Sequence, residues 1–497
     1  MKDKNNSYQG IFKSTFLFGF VQVFNVLTKV LLNKFAAIYL GAEGIGLIGI
    51  FQSISQMLKT FFGLGVSQSA VRDISKANSE RESESISSII TVTHKIILFT
   101  SLLGGGITIL ISSYLSVYSF GDDSYKNSFV LLSLVVVFSI FLDGKLSVLK
   151  GMRQLRDLAK ATVFGSVAGI CTGIPMYNFF GLKGIIPTIL AITLSSLFFA
   201  TYYVGRINYR KVSIPLKEVI SKSKSIIRMG VALMIVTFIG MLHEYIVKIY
   251  VSNNSNVSTV GIYQAGLTIV SGYFSIIIVA MMADYYPRIS AVFDNNEELA
   301  IELNKQSRVG LILITPLIVL FMFLMPIFVR FLYSVEFLPA VEYMRYAIFW
   351  TLIIIVSNPI DMILVAKQNT KVFLSATIVY RIFGLCISIY FFDSYNIKGL
   401  GIAMLIMGVV HISLMQSIMY KLYKIHVDKI TIKMMIISMT FVIFSFFISD
   451  IDSIVNILLL GVPLVMMSFA YSINKFNEVT GVNLYEAVKA KLIRKMK

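Results

Sequence analysis

Residues 18–40 read FGFVQVFNVLTKVLLNKFAAIYL, an apolar run with Lys29 at its centre. A transmembrane helix needs about 20 mostly apolar residues, and this run is long enough. A charge at the bilayer centre costs roughly 2.5–3.5 kcal/mol on insertion scales, so Lys29 must face a polar cavity or a partner rather than lipid. Lys59, Lys248 and Arg381 sit in later runs of the same kind. The first run decides the fold class, and the four cations are the first functional suspects.

The rest of the chain repeats the pattern. Over 497 residues the hydrophobic fraction is 56%, mean hydropathy is +0.79 and only 14% of residues are charged, well below the roughly 25% charge of soluble domains. Lipid offers the backbone no hydrogen bonds and the runs are too long for barrel strands, so the spans are helices. The reading gives fourteen: 12–40, 44–71, 89–119, 126–149, 159–180, 184–205, 228–251, 258–284, 307–333, 339–366, 371–392, 398–420, 431–449 and 453–473. The longest polar stretches, 72–88, 205–227 and 285–308, leave no room for a soluble catalytic domain.

The net charge of +18 reflects orientation rather than nucleic acid, because Lys and Arg gather in alternate loops. Arg72, Lys76, Lys150, Arg153, Arg206, Arg288, Lys367, Lys421 and the basic tail mark one side as cytoplasmic, while Glu43, Asp122, Asp393 and Asp450 mark the other. An even helix count places both termini in the cytoplasm. The tail from Gly481, with Leu484, Val488 and Leu492 on one face, reads as a helix lying on the anionic leaflet.

The chain also resembles itself at an offset of about 212–215 residues. Gly49-Ile50-Phe51-Gln52 returns as Gly261-Ile262-Tyr263-Gln264, and Gly169, Cys171, Lys183 and Gly184 meet Gly384, Cys386, Lys398 and Gly399. Six helices per period make two parallel six-helix lobes, an arrangement that places a transporter's substrate site between halves. The expected organisation is an N-terminal lobe at 1–205, a cytoplasmic linker at 206–227, a C-terminal lobe at 228–420, and an extra helix pair with the tail at 421–497.

Polar stripes mark the cavity-facing sides. At 100 degrees per residue, Gln22, Asn25, Lys29 and Asn33 fall within about 80 degrees of one another. Gln52, Gln56, Lys59 and Gly63 share a face, as do Gln264, Thr268, Ser271 and Ser275, and Thr377, Arg381, Gly384 and Ser388. The uncharged members suit interhelical hydrogen bonds worth about 0.6 kcal/mol equally well. Glu244 and Lys248 stand at i and i+4, where they can neutralise each other. An acid beside His243 can also exchange a proton or hold sodium, so Glu244, with His243, is a candidate for ion coupling. Lys34, Lys248 and Arg345 lie toward outer helix ends, within snorkelling reach. Asp361, which follows Pro359, is a further coupling candidate, although interfacial solvation is the default at its depth.

Eight cations in or near spans (Lys29, Lys34, Lys59, Lys95, Lys145, Lys248, Arg345 and Arg381) face four acids: Asp143, Glu244, Asp284 and Asp361. Such a cavity favours an anionic solute such as a diphosphate. Gly165, Gly169 and Gly173 read as a close helix-packing face, and Cys171 and Cys386 as small core residues. There is no Walker loop, HExxH, paired-Cys motif or GxSxG, and the four histidines are too scattered for a metal set. No cofactor or metal is expected, and the chain does not read as an enzyme.

Several segments, by order and spacing, resemble the Wzx-type O-antigen flippases of the MOP (multidrug/oligosaccharidyl-lipid/polysaccharide) exporter superfamily. They are Asn33-Lys34-Phe35-Ala36-Ala37 leading into Leu40-Gly41-Ala42-Glu43-Gly44-Ile45-Gly46-Leu47, Leu149-Lys150-Gly151-Met152-Arg153, Tyr286-Pro287-Arg288-Ile289-Ser290 and Glu336-Phe337-Leu338-Pro339-Ala340. The resemblance implies a MATE-like pair of lobes that moves undecaprenyl-diphosphate-linked oligosaccharide across the bacterial inner membrane by alternating access. H+ or Na+ would be the coupling ion, and a polysaccharide polymerase and chain-length regulator would be partners. Within that reading, Lys29, Lys59 and Arg381, with Lys34, Lys248 and Arg345, attract the headgroup, while membrane lipids hold the tail. Two rivals stand beside it. A multidrug antiporter of the same superfamily should have an acidic cavity, and a membrane glycosyltransferase or polymerase should show a large external loop.

Overall fold

The computed structural model describes residues 2–80, 82–207, 212, 214–451 and 454–480. The side chains of 1–23, of 216–225 and of a few scattered positions, together with the basic tail 481–497, lie outside the described residues. Every regular element among the described residues is helical: α1 Lys2–Gly63, α2 Val66–Glu80, α3 Ser83–Leu110, α4 Ser112–Phe120, α5 Lys126–Gly151, α6 Leu155–Phe180, α7 Ile185–Val204, α8 Leu216–Asn254, α9 Val257–Leu267, α10 Ser275–Ala291, α11 Asn296–Leu332, α12 Ala340–Ala366, α13 Thr370–Tyr423, α14 Lys429–Ile448 and α15 Ile454–Thr480. Among the described residues, eleven stretches are long and apolar enough to cross a membrane. Three of these are broken midway, at Gly41, at Gly181–Gly184 and at Asn396, which yields the fourteen crossings expected. The chain is an all-α, multi-pass membrane protein.

Compact packing divides the chain into residues 1–264 with 332–336, and 265–331 with 337–497. This boundary falls inside α9, downstream of the 206–227 linker.

In the first unit, α1 turns sharply at Gly41, whose φ of +66° with ψ −164° is a backbone conformation essentially open only to glycine. The Glu336 carboxylate accepts a hydrogen bond from Ala42 N at 3.2 Å, placing a negative charge where the second half of the helix begins and its dipole is positive. That half ends at Gly63, earlier than the expected 71. Residues 66–80 form a separate amphipathic helix, because Val66, Ser69, Ala70, Ile74 and Ala77 turn inward at helical spacing. Ala70 and Ile74 join Ile90, Val148, Leu149, Ala161, Ala200 and Tyr203 in the core of this unit. The apolar face of α2 had extended the second span on hydropathy alone. Gly165, Gly169 and Gly173 on α6 do pack closely: a Cβ at each would come within 2.7–2.8 Å of Ser196, Ile192 or Thr188 of α7. Cys171 and Cys386, expected in the core, are instead exposed on their helices.

The second unit contains a π-helical turn at Thr268–Tyr273 and a core built on Tyr285, Leu303, Ile360, Leu364, Met415 and Met419. Its long helix α13 breaks at Asn396, with φ 51° and ψ −136°. Gly181, 215 positions earlier, has φ 54° and ψ −134°. The internal repeat extends to the neighbours of these breaks: Gly184 lies against Met176 O and Gly399 against Phe391 O. The extra helices join through Asp428, which caps α14 by accepting from Thr431 N at 2.8 Å and pairs with Arg308 of α11. Burial pushes the Asp428 carboxyl up, but the Thr431 hydrogen bonds and the Arg308 guanidinium outweigh it and hold the group below the usual carboxylate range. Thr315 and Ser438 add a buried 2.8 Å hydrogen bond between α11 and α14.

Candidate functional site

In the first unit most of the suspect cations are already occupied. Lys248 on α8 is 2% exposed, and its ammonium donates to Glu244 Oε1 at 2.6 Å, to Ser53 Oγ at 2.7 Å and to Gly49 O at 3.4 Å. The i,i+4 spacing placed Glu244 one helical turn away, and the small residues of α1 let the amine reach its backbone. Glu244 keeps 45% of its side chain exposed, and His243 beside it is half-buried. Lys59 pairs with Asp143 of α5 at 2.9 Å. Lys34 donates to Tyr333 O at 2.5 Å, and Asn33 reaches Tyr333 OH at 3.4 Å. Lys34 therefore anchors a carbonyl instead of snorkelling.

Among the neutral residues, Gln264 lies against Gly49, where a Cβ would approach its side chain to 3.2 Å. Gln52 and Gln56 are exposed and Asn25 is half-buried. The Gln22 side chain lies outside the described residues. Lys29 is exposed, with no hydrogen-bond or ionic partner among the described residues.

In the second unit α12 continues with helical backbone through Pro359, and Tyr285 OH donates to Pro359 O at 3.2 Å. Two residues on, Asp361 is not solvated at an interface as its sequence position suggested. It is 13% exposed, and its Oδ2 lies 3.5 Å from Nε2 of the equally buried His411 on α13. Nδ1 of that imidazole is 3.1 Å from Ser357 Oγ. The Tyr380 ring packs 4.8 Å from the His411 ring, and the Arg381 guanidinium lies 5.6 Å from the Tyr380 ring centre. Asp361 Oδ1 and Arg381 Nε are both buried with no hydrogen-bond partner. A carboxylate facing an imidazole, with one oxygen unbonded, is chemically able to take a proton or a monovalent cation. Arg345, also expected to snorkel, instead pairs with Asp450, donates to Phe446 O at 2.6 Å and stacks 4.5 Å from the Phe446 ring centre.

The six suspect cations thus divide. Lys34, Lys59, Lys248 and Arg345 hold internal acceptors, and Lys29 and Arg381 do not. Sequence reasoning missed His411, Ser357 and Tyr380 as neighbours of Asp361, and Asp143 as the partner of Lys59. Spacing between different helices carries no such signal. The polar stripe through Thr377 and Arg381 was the one available hint.

A profile of the family described as "Polysaccharide biosynthesis protein" matches residues 37–342. No curated protein matches the chain. Among solved structures the chain is similar to "Lipid II flippase MurJ, inward closed conformation", with a TM-score of 0.70 and 15% identity over 94% of this chain and 99% of that one. It is also similar to a multidrug resistance MATE family transporter of the MOP superfamily in its inward-facing conformation, with a TM-score of 0.66 and 16% identity over 80% and 95% of the two chains. The outward-facing conformation gives 0.59 and 17% over 81% and 93%. At such identities the likeness is one of fold. With the family profile covering most of its length, the chain belongs to the polysaccharide biosynthesis protein family.

Proposed function

We propose that this chain is a flippase that carries undecaprenyl-diphosphate-linked oligosaccharide, an O-antigen or related repeat unit, across the bacterial inner membrane. Lys29 and Arg381 attract the diphosphate, Arg381 through its planar fork and Lys29 as a point charge. The polyprenyl tail stays in lipid. The lobes 1–205 and 228–420 rock to give alternating access, joined by the 206–227 linker and flanked by the 421–497 helices, with both termini cytoplasmic. Uptake and release of H+ or Na+ at Asp361 and His411 biases the cycle, since a coupling ion drives direction only by binding the two states unequally. Glu244 is the weaker coupling candidate, because Lys248 already neutralises it. The chain acts as a transporter, not an enzyme, and delivers its cargo to a polysaccharide polymerase and chain-length regulator.

The observation that carries this reading is that two mid-span cations, Lys29 and Arg381, have no internal counter-charge among the described residues. Their insertion cost is offset by a polar cavity, and a mobile anion that visits them finds a charge not already neutralised. A multidrug antiporter of the same superfamily would place acids there. Replacing Lys29 or Arg381 by Ala is expected to abolish surface polysaccharide while protein levels stay normal; unchanged polysaccharide refutes the assignment.

A further inference from the structure

A cavity of about 190 Å³ lies within the first unit, between the end of α1, the start of α2, α5 and α8. Lys59 and Asp143 line it as a closed ion pair at 2.9 Å, so the cavity is close to neutral. A diphosphate entering it would meet an ammonium already held and a carboxylate that repels it. The other polar lining is neutral: the Thr60 and Thr237 hydroxyls donate to Met241 Sδ at 3.2 Å and Met234 O at 2.9 Å, while the side chains of Gln56, Ser67 and Gln68 make no hydrogen bond to any described residue. Two amides and a hydroxyl each offer donors and acceptors together, and Met234 and Met241 add apolar wall. At its edge Gly65, with φ +62°, meets Gly230 backbone to backbone; a Cβ on Gly65 would stand 2.1 Å from Gly230 O. That contact fixes the turn between α1 and α2 against α8 and gives the cavity a firm wall.

Resting on the flippase reading, we infer that this cavity is a subsite for one sugar ring of the lipid-linked cargo, separate from the residues that attract its diphosphate. A polyol needs donors and acceptors interleaved on a neutral surface with some apolar wall for its C–H face, which is what these side chains present. The size agrees: sites that enclose drug-sized ligands run to roughly 300–1,000 Å³, so this one admits a single ring and not a whole repeat unit. Lys59 then serves as a hydrogen-bond donor within a pair, not as an anion grip.

The test uses the full-length chain in proteoliposomes with two probes: undecaprenyl diphosphate bearing a hexose, and undecaprenyl diphosphate without sugar. The readout is the ratio of their translocation rates. Gln68→Ala is expected to lower that ratio about tenfold, the scale of one or two lost hydrogen bonds. Gln56→Ala, on the neighbouring wall, gives the same readout independently of how Gln68→Ala folds. A ratio unchanged in both variants, or equal loss for both lipids, overturns the subsite. A wild-type chain that moves neither lipid overturns the flippase reading and the subsite with it, a result distinct from equal loss.

Discussion

Lys248 in α8 and Arg381 in α13 are both cations inside apolar spans, yet the structure treats them differently. Lys248 is enclosed by a carboxylate, a hydroxyl and a carbonyl, whereas the Arg381 guanidinium lies over the Tyr380 ring and leaves Nε unbonded. The first arrangement ties two helices together. The second leaves a charge with bonding capacity unspent, which suits a transient ligand. A mid-membrane charge is thus a functional suspect only after its partners have been counted, and the count separates Lys248, which its neighbours satisfy, from Arg381, which keeps an unbonded Nε.

The sharpest way to break this contrast is to remove each charge. Arg381→Ala is expected to lower translocation about a hundredfold, the effect of losing a charge-assisted contact of roughly 3 kcal/mol, with little change in thermal stability. Lys248→Met is expected to do the reverse and lower the melting temperature. Breaking a fully buried pair costs about 3–5 kcal/mol; the loss here should be a fraction of that, because Glu244 is 45% exposed. The double variant Lys248→Met/Glu244→Gln should recover most of it. Equal melting losses for Arg381→Ala and Lys248→Met would erase the distinction.

The same comparison explains what could be read in the sequence. Glu244 and Lys248 were legible as a pair because four residues on one helix bring side chains together whatever the fold. Asp361 and His411 sit on different helices, as do Lys59 and Asp143, so nothing in their spacing announces the contact. The fourteen crossings were legible because length and hydropathy determine them. The end of the second span was not, because Val66, Ala70 and Ile74 give the amphipathic α2 an apolar face that hydropathy alone joins to the span before it. The repeat was visible in a few matched residues, and the matching backbone at Gly181 and Asn396 supplies its physical content.

Smaller effects sharpen the structural side of the contrast. Gly230→Ala should destabilise the first unit by about 1–3 kcal/mol, the usual cost of overpacking, since a Cβ there would stand 2.3 Å from Leu64 O; a thermal melt in detergent checks it. The mildest effect concerns Asp428. Its carboxyl lies lower in the folded chain than the ordinary value, so its stabilisation is present above that ordinary value and is lost as pH falls through the native one. Wild-type melting should therefore decline more steeply on acidification than that of Asp428→Asn, whose cost at neutral pH should be about 1 kcal/mol or less, because Asn still caps the helix and only the part-exposed pair with Arg308 is lost. Parallel acid limbs would contradict the assignment.

The most direct test of the central claim is translocation of undecaprenyl-diphosphate-linked oligosaccharide by the purified chain in proteoliposomes, with Lys29→Ala and Arg381→Ala measured beside the wild type. The account predicts rapid movement by the wild type, near-complete loss in both variants, and partial recovery in Arg381→Lys. Arg381→Ala moving the lipid at the wild-type rate would contradict it.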